Sequence, residues 1–170
     1  SMEIRNRIEI IPIGSDQAVL RQMAAHYREN NDSFIAFLDG DRRSKKNEAL
    51  TQISKNLENR YRKGIDKDKF NKFMDERLHY LPGEKWPERE IIEGALRAEE
   101  LSDLKCSWDV NSTEDIKRSL EVAITVKKHN EFYEITKSVS LSEEQVRSDL
   151  VRFYKNHYPN EKATIENAIN

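Results

Sequence analysis

The sequence predicts an α/β fold: a small parallel sheet flanked by helices, followed by an all-α C-terminal region. Three observations predict it. Two short apolar runs, "RIEIIPIG" (7–14) and "DSFIAFLD" (32–39), bracket a stretch with helical periodicity. Beyond residue 100, apolar residues recur only at helical spacing, with charged residues between them. The composition is polar, 36% hydrophobic against 35% charged over 170 residues, which suits helices with broad solvated faces.

Each element has its own signal. The run 7–14 is β-branched and closes on Pro12 and Gly14, so it reads as a buried strand and turn. Ser15 or Asp16 then offers an N-cap. Val19, Leu20, Met23, Ala24 and Tyr27 form one face of a helix. The run 32–39 is the next strand, and this strand–helix–strand order implies a right-handed crossover with parallel pairing. Leu50, Ile53, Leu57 and Tyr61 mark a helix over 46–63, ended by Gly64. "DKDKFNKFMDER" (66–77) reads as a short basic helix, and "LHYLPG" (78–83) as a candidate third strand. Pro87 opens a helix carrying Ile91, Ile92, Ala95 and Leu96.

The remainder reads as helical throughout. Thr113 caps a helix through Ile116, Leu120 and Ile124. "HNEFYEITKSV" (129–139) is another. Ser142 and Gln145 form a capping box before Val146, Leu150, Phe153 and Tyr154. Pro159 and Asn160 precede a last helix with Ile165 and Ile169. The weakest boundary falls in "LSDLKCSWDVNST" (101–113), so the expected division is an α/β region over 1–100 and a helical region over 101–170. So few strands make a thin sheet with exposed edges, and a further strand preceding Ser1 is expected.

Charge and cysteine narrow the setting. The net charge is only −2, but it is unevenly placed. From Arg42 to Arg77 there are 12 Lys/Arg against 6 Asp/Glu; from Glu84 to Glu121 there are 6 against 11. The basic block is able to attract phosphates, or it is a set of solvated helix faces. Cys106 is the single cysteine, so no intrachain disulfide forms and a reducing, cytoplasmic setting is expected. No apolar stretch approaches the length of a membrane span.

The chemistry concentrates in "FLDGDRR", where a strand ends in Asp39 and Asp41 with Gly40 between them. Sites in open parallel sheets form at the carboxyl ends of strands. Gly40 lets the chain turn tightly and keeps both carboxylates on one side. Two adjacent carboxylates repel unless one is protonated or a cation bridges them. Mg²⁺ is commonly held by one or two carboxylates, with waters and phosphates completing its shell. The same residues also make an ordinary Asp-Gly turn. A calcium loop is excluded, because "RRSKK" follows where oxygen ligands would be needed.

"IEIIPIGSDQAVLRQMAAHY", "FIAFLDGDRR" and "HYLPGEKWPEREIIEGAL" together resemble the topoisomerase–primase (Toprim) domain. More narrowly, they resemble its version in the overcoming-lysogenization-defect (OLD) family of ATP-dependent endonucleases. The resemblance covers residues 7–96, and the helical remainder would match the elaboration this family adds. It implies a truncated Toprim-like fold in which Asp39 and Asp41 bind Mg²⁺ or Mn²⁺. The family also needs a strand-end glutamate. Neither Glu3 nor Glu9 matches it, so the resemblance implies one upstream of Ser1 and a weak site in this chain alone. For a second metal it implies a later acidic residue: Glu88 foremost, with Glu90 and Glu93 as alternatives. The plainer role for Glu88 is charge compensation at a helix start. The implied activity is Mg-dependent hydrolysis of DNA phosphodiesters, tied to phage defence or DNA processing. Lys45, Lys46 and Lys128 are candidates for the charge-neutralising lysine, and Arg42 and Arg43 for backbone contacts. The implied partners are DNA, an upstream ATPase domain and a second copy of the chain. No phosphate-loop motif is present, so this chain is not itself the ATPase.

Other residues carry less. His26, His79, His129 and His157 lack metal-ligand spacing; the resemblance would turn His129 toward the site, but it reads as a surface or packing residue. Cys106 reads as buried or incidental, and Trp86 and Trp108 as packing anchors. The competing reading is a non-catalytic interaction module whose acidic helical half docks a partner protein. A receiver-like phosphotransfer domain would want a separate phosphorylatable Asp and a later strand lysine, an arrangement the sequence lacks.

Overall fold

A computed structural model describes residues 9, 11–58, 65–161 and 163. The chain is mostly helical, with a two-stranded parallel sheet. It divides into two compact units: Ser1–Leu38 with Ser44–His79, and Asp39–Arg43 with Tyr80–Asn170.

In the first unit, helix α1 (Asp16–Glu29) starts where the Ser15 hydroxyl accepts from the Ala18 N–H. It ends at Asn30, which takes the left-handed conformation that closes many helices. Leu20, Met23 and Ala24 are buried, as their spacing predicts. Strand β1 (Ala36–Leu38) is the buried end of the apolar run. Helix α2 (Lys46–Glu58) buries Ile53 and Leu57; the 3-10 helix before it (Gly40–Lys45) has only Ser44 and Lys45 in this unit. Asp66 caps α3 (Lys67–Arg77) through the Asp68 and Lys69 N–H groups, and α3 buries Phe70 and Met74. Tyr27 meets Phe70 and Phe73 edge-on, with ring centroids 5.3 and 5.2 Å apart. Strand β2 (Leu78–Tyr80) pairs with β1, so the segment 78–83 supplies a strand over its first half only.

Within the run 7–14, the described residues depart from expectation. Ile11, Pro12 and Ile13 form no strand and are exposed, Ile11 by 67%. Arg7, Ile8 and Ile10 lie outside the described residues, as do Tyr61, Gly64, Ile165 and Ile169. Apolar β-branched composition is not enough: a strand forms only where a neighbouring edge takes up its backbone groups.

The second unit holds α4 (Pro87–Arg97), α5 (Ser102–Trp108), α6 (Thr113–Ala123), α7 (Glu131–Thr136) and α8 (Glu143–His157). One core joins them, from Ile92 and Ala95 through Leu101, Leu104, Trp108, Ile116 and Leu120 to Ile135, Val146, Leu150 and Phe153. The expected boundary at 100/101 therefore falls inside a packed unit. Leu101, Leu104 and Trp108 repeat at helical spacing and face that core. Ser142 and Gln145 make the capping box as predicted. The α6 cap is Ser112, not Thr113, because its hydroxyl accepts from the Asp115 N–H. Gly94 lets α8 approach α4: a Cβ there would stand 2.6 Å from Tyr154 Cε2.

Candidate functional site

Asp39 and Asp41 belong to the second unit, as do Arg42, Arg43, Leu81, Gly83 and Lys128, which build the site around them. Asp39 directly follows Leu38, the last residue of β1. The Asp39 carbonyl accepts from the Arg42 N–H at 3.0 Å, which winds the segment into its 3-10 turn. Gly40 is needed here, though for a different reason from the one the sequence suggests. Its φ is not positive. A Cβ at Gly40 would instead lie 2.5 Å from the Gly83 carbonyl oxygen and 3.0 Å from that of Leu81. Glycine allows the Leu81–Gly83 backbone to pack directly onto the turn. Arg43 fixes the same loop by donating to the Leu81 carbonyl at 3.0 Å.

The structure brings Lys128 to the aspartates. Its Nζ is 3.5 Å from Asp41 Oδ2 and 3.8 Å from Asp39 Oδ2. The other Asp41 oxygen, Oδ1, is buried and has no hydrogen-bond partner among the described residues. A buried acceptor without a donor is a position that a cation would satisfy. Lys46 is engaged elsewhere, paired with Asp75 at 2.8 Å in the first unit. Lys45 is exposed at the end of the 3-10 helix, also in the first unit.

The three glutamates of α4 have partners of their own. Glu88 Oε1 meets His129 Nδ1 at 3.2 Å. Glu90 pairs with Arg97 at 3.1 Å and stands where a Gly83 Cβ would be. Glu93 pairs with Lys85 at 2.5 Å. Among the described residues no three His, Cys, Asp or Glu side chains gather as a metal-holding group. Glu88 thus does not complete a three-ligand set with Asp39 and Asp41. The fit to Mg²⁺ or Mn²⁺ is that of two carboxylates with one unsatisfied oxygen, a set magnesium can use with water and phosphate oxygens.

The other histidines pack: His26 stacks on Phe34, His79 lies against Phe37, and His157 stacks on Phe153. Cys106 is exposed, contrary to the buried alternative, because its face of α5 points away from Leu104 and Trp108. Trp108 is a buried anchor, as expected. Trp86 does more than pack. Its Nε1–H donates to Glu131 Oε1 at 2.7 Å, and Lys128 Nζ lies 5.1 Å from its ring centroid. Arg89 also lies over the indole, 5.2 Å from the centroid, and it donates to the Ile124 carbonyl. Sequence reasoning missed Glu131. Its one signal is spacing, since it shares a helix face with the buried Ile135.

No protein-family model, curated protein or solved structure matches this chain. Among the described residues, no helix is long and apolar enough to cross a membrane.

Proposed function

We propose that the chain is part of a metal-dependent endonuclease of the OLD type, with Asp39 and Asp41 as the carboxylates that hold Mg²⁺ or Mn²⁺. One observation carries this reading: the Lys128 ammonium reaches both carboxylates, while Asp41 Oδ1 is buried and has no hydrogen-bond partner among the described residues. Bound there, the cation supplies an activated water and charge neutralisation for phosphodiester hydrolysis. Lys128 is the lysine of this reading, because its ammonium reaches both carboxylates and can stabilise charge developing on a phosphate. DNA is the substrate class, and an ATPase domain and a second copy of the chain are the partners in the parent enzyme. Alone, the two-carboxylate set binds metal weakly and cuts poorly.

The test is a Mn²⁺ titration followed by NMR line broadening, with the Asp39→Asn/Asp41→Asn variant beside it. Broadening centred on residues 38–42, and lost in the variant, is the expected result. A second reading is favoured by the ammonium itself. If Lys128 is the permanent counter-ion, the three residues form a structural bridge in a non-catalytic module that docks a partner protein. Mn²⁺ broadening that is absent, or spread over the acidic helices, would favour that module.

A further inference from the structure

Glu131 is fully buried, yet its carboxylate makes a single hydrogen bond among the described residues. Oε1 accepts from the Trp86 indole, and Oε2 has no hydrogen-bond partner there. A polar group buried with so few hydrogen-bond partners is costly. Glu131 stands at the start of α7, beside the buried Phe132 and on the face of Ile135, where a leucine would cost less. Local rules broken in this way point to a role beyond packing.

Trp86 is what Glu131 holds. Trp86 is the N-cap of α4, but an indole has no acceptor with which to cap; its N–H donates to Glu131 instead. A carboxylate accepting from the indole N–H pushes electron density into the ring, which improves its face as a seat for a cation. That seat carries Lys128. Lys128 lies within, and Glu131 directly follows, the turn closed by the Asn130 N–H donating to the Lys127 carbonyl at 3.1 Å. The same short segment therefore presents the ammonium and fixes the ring beneath it.

We propose that Trp86, oriented by Glu131, is a positioning residue that holds the Lys128 ammonium at the Asp39–Asp41 pair. Its functional meaning rests on the metal-site reading: when a divalent cation repels the ammonium, the indole keeps Lys128 beside the pair. The positioning itself does not require the metal.

The experiment uses the whole chain, metal-free, with lysine side chains labelled for NMR. The Lys128 methylene next to the ammonium should show an upfield ring-current shift. Trp86→Leu should collapse it to the position of the exposed lysines, and Trp86→Phe should retain part of it. Glu131→Gln keeps an acceptor and should preserve the shift; Glu131→Leu fills the volume without one and should reduce it. A Lys128 resonance unmoved by Trp86→Leu, or equally by Trp86→Phe if the leucine variant does not fold, overturns the proposal. A resonance unmoved by Glu131→Leu overturns the part played by Glu131. Mn²⁺ affinity is then measured in the same variants. Freeing the ammonium should tighten Mn²⁺ binding by about two- to fivefold, the scale of a partly exposed ion pair. That gain should vanish when Trp86→Leu is added to Lys128→Met. Wild type that binds no Mn²⁺ defeats the metal reading alone, and the ring-current shifts decide only whether Lys128 sits on the indole. Its place at the pair is read, metal-free, from the Asp39 and Asp41 side-chain carboxyl resonances, which should move in Trp86→Leu; resonances that stay unmoved overturn the positioning.

Discussion

Gly40 shows how a residue can be identified as important for the wrong reason. In the sequence it reads as a turn residue between two aspartates. In the structure its φ is not positive, and the need for glycine comes from the Leu81–Gly83 backbone lying against it. That contact joins positions about forty residues apart, and no local pattern in the sequence encodes it. Gly40→Ala would place a methyl group 2.5 Å from a carbonyl oxygen that cannot swing aside as a side chain would. The expected cost is about 1–3 kcal/mol, read from urea unfolding. An alanine variant as stable as wild type would mean that the loop does not pack on the turn. Lys128 is equally hidden in the sequence. It is one of three candidate lysines there, and its selection depends on a contact spanning 87 residues. Asp39 and Asp41 stand out in the sequence as candidates because the pattern that marks them is local: two carboxylates, one glycine, one strand end.

At the scale of elements, legibility follows locality in the same way. The Ser142 box is readable because the donor and acceptor lie three residues apart. Helix α5 is not, because only Leu101, Leu104 and Trp108 mark its buried face within a polar stretch. The packing of α8 on α4 has a consequence for pH. Tyr154 lies against Gly94 and stacks on Tyr158, with ring centroids 4.7 Å apart. Burial pushes the Tyr154 phenol up from 10.0 to about 12, helped by the carboxylates of Glu90 and Glu161. The folded chain then keeps a proton that the unfolded chain releases above pH 10. By linkage, the contribution to stability is complete below pH 10 and is lost as pH rises from 10 towards 12. Tyr154→Phe should flatten the stability–pH curve in that window, as measured by urea midpoints at a series of pH values. A variant that retains the full alkaline loss would locate the titrating group elsewhere.

For the whole molecule, the described apolar burial falls on helices in both units and leaves Ile11 of the run 7–14 exposed. The sequence places buried strands near the N-terminus and makes the region after residue 100 an appendage. The reason is that β-branched runs are conspicuous, whereas amphipathic helices spread their apolar residues thinly among charges. In the structure the helices from α4 to α8 share one core, with Ile116, Leu120, Ile135, Val146 and Leu150 fully buried, while Ile11 lies exposed. The two accounts predict opposite outcomes for the same pair of substitutions. Leu150→Ala opens a cavity among these helices and should cost about 2–5 kcal/mol in equilibrium unfolding. Ile11→Ser removes an exposed side chain and should change stability by no more than about 0.5 kcal/mol. If Ile11→Ser instead costs as much as Leu150→Ala, the run 7–14 is a buried strand after all. The sheet that leads to Asp39 would then be wider than the pair β1 and β2.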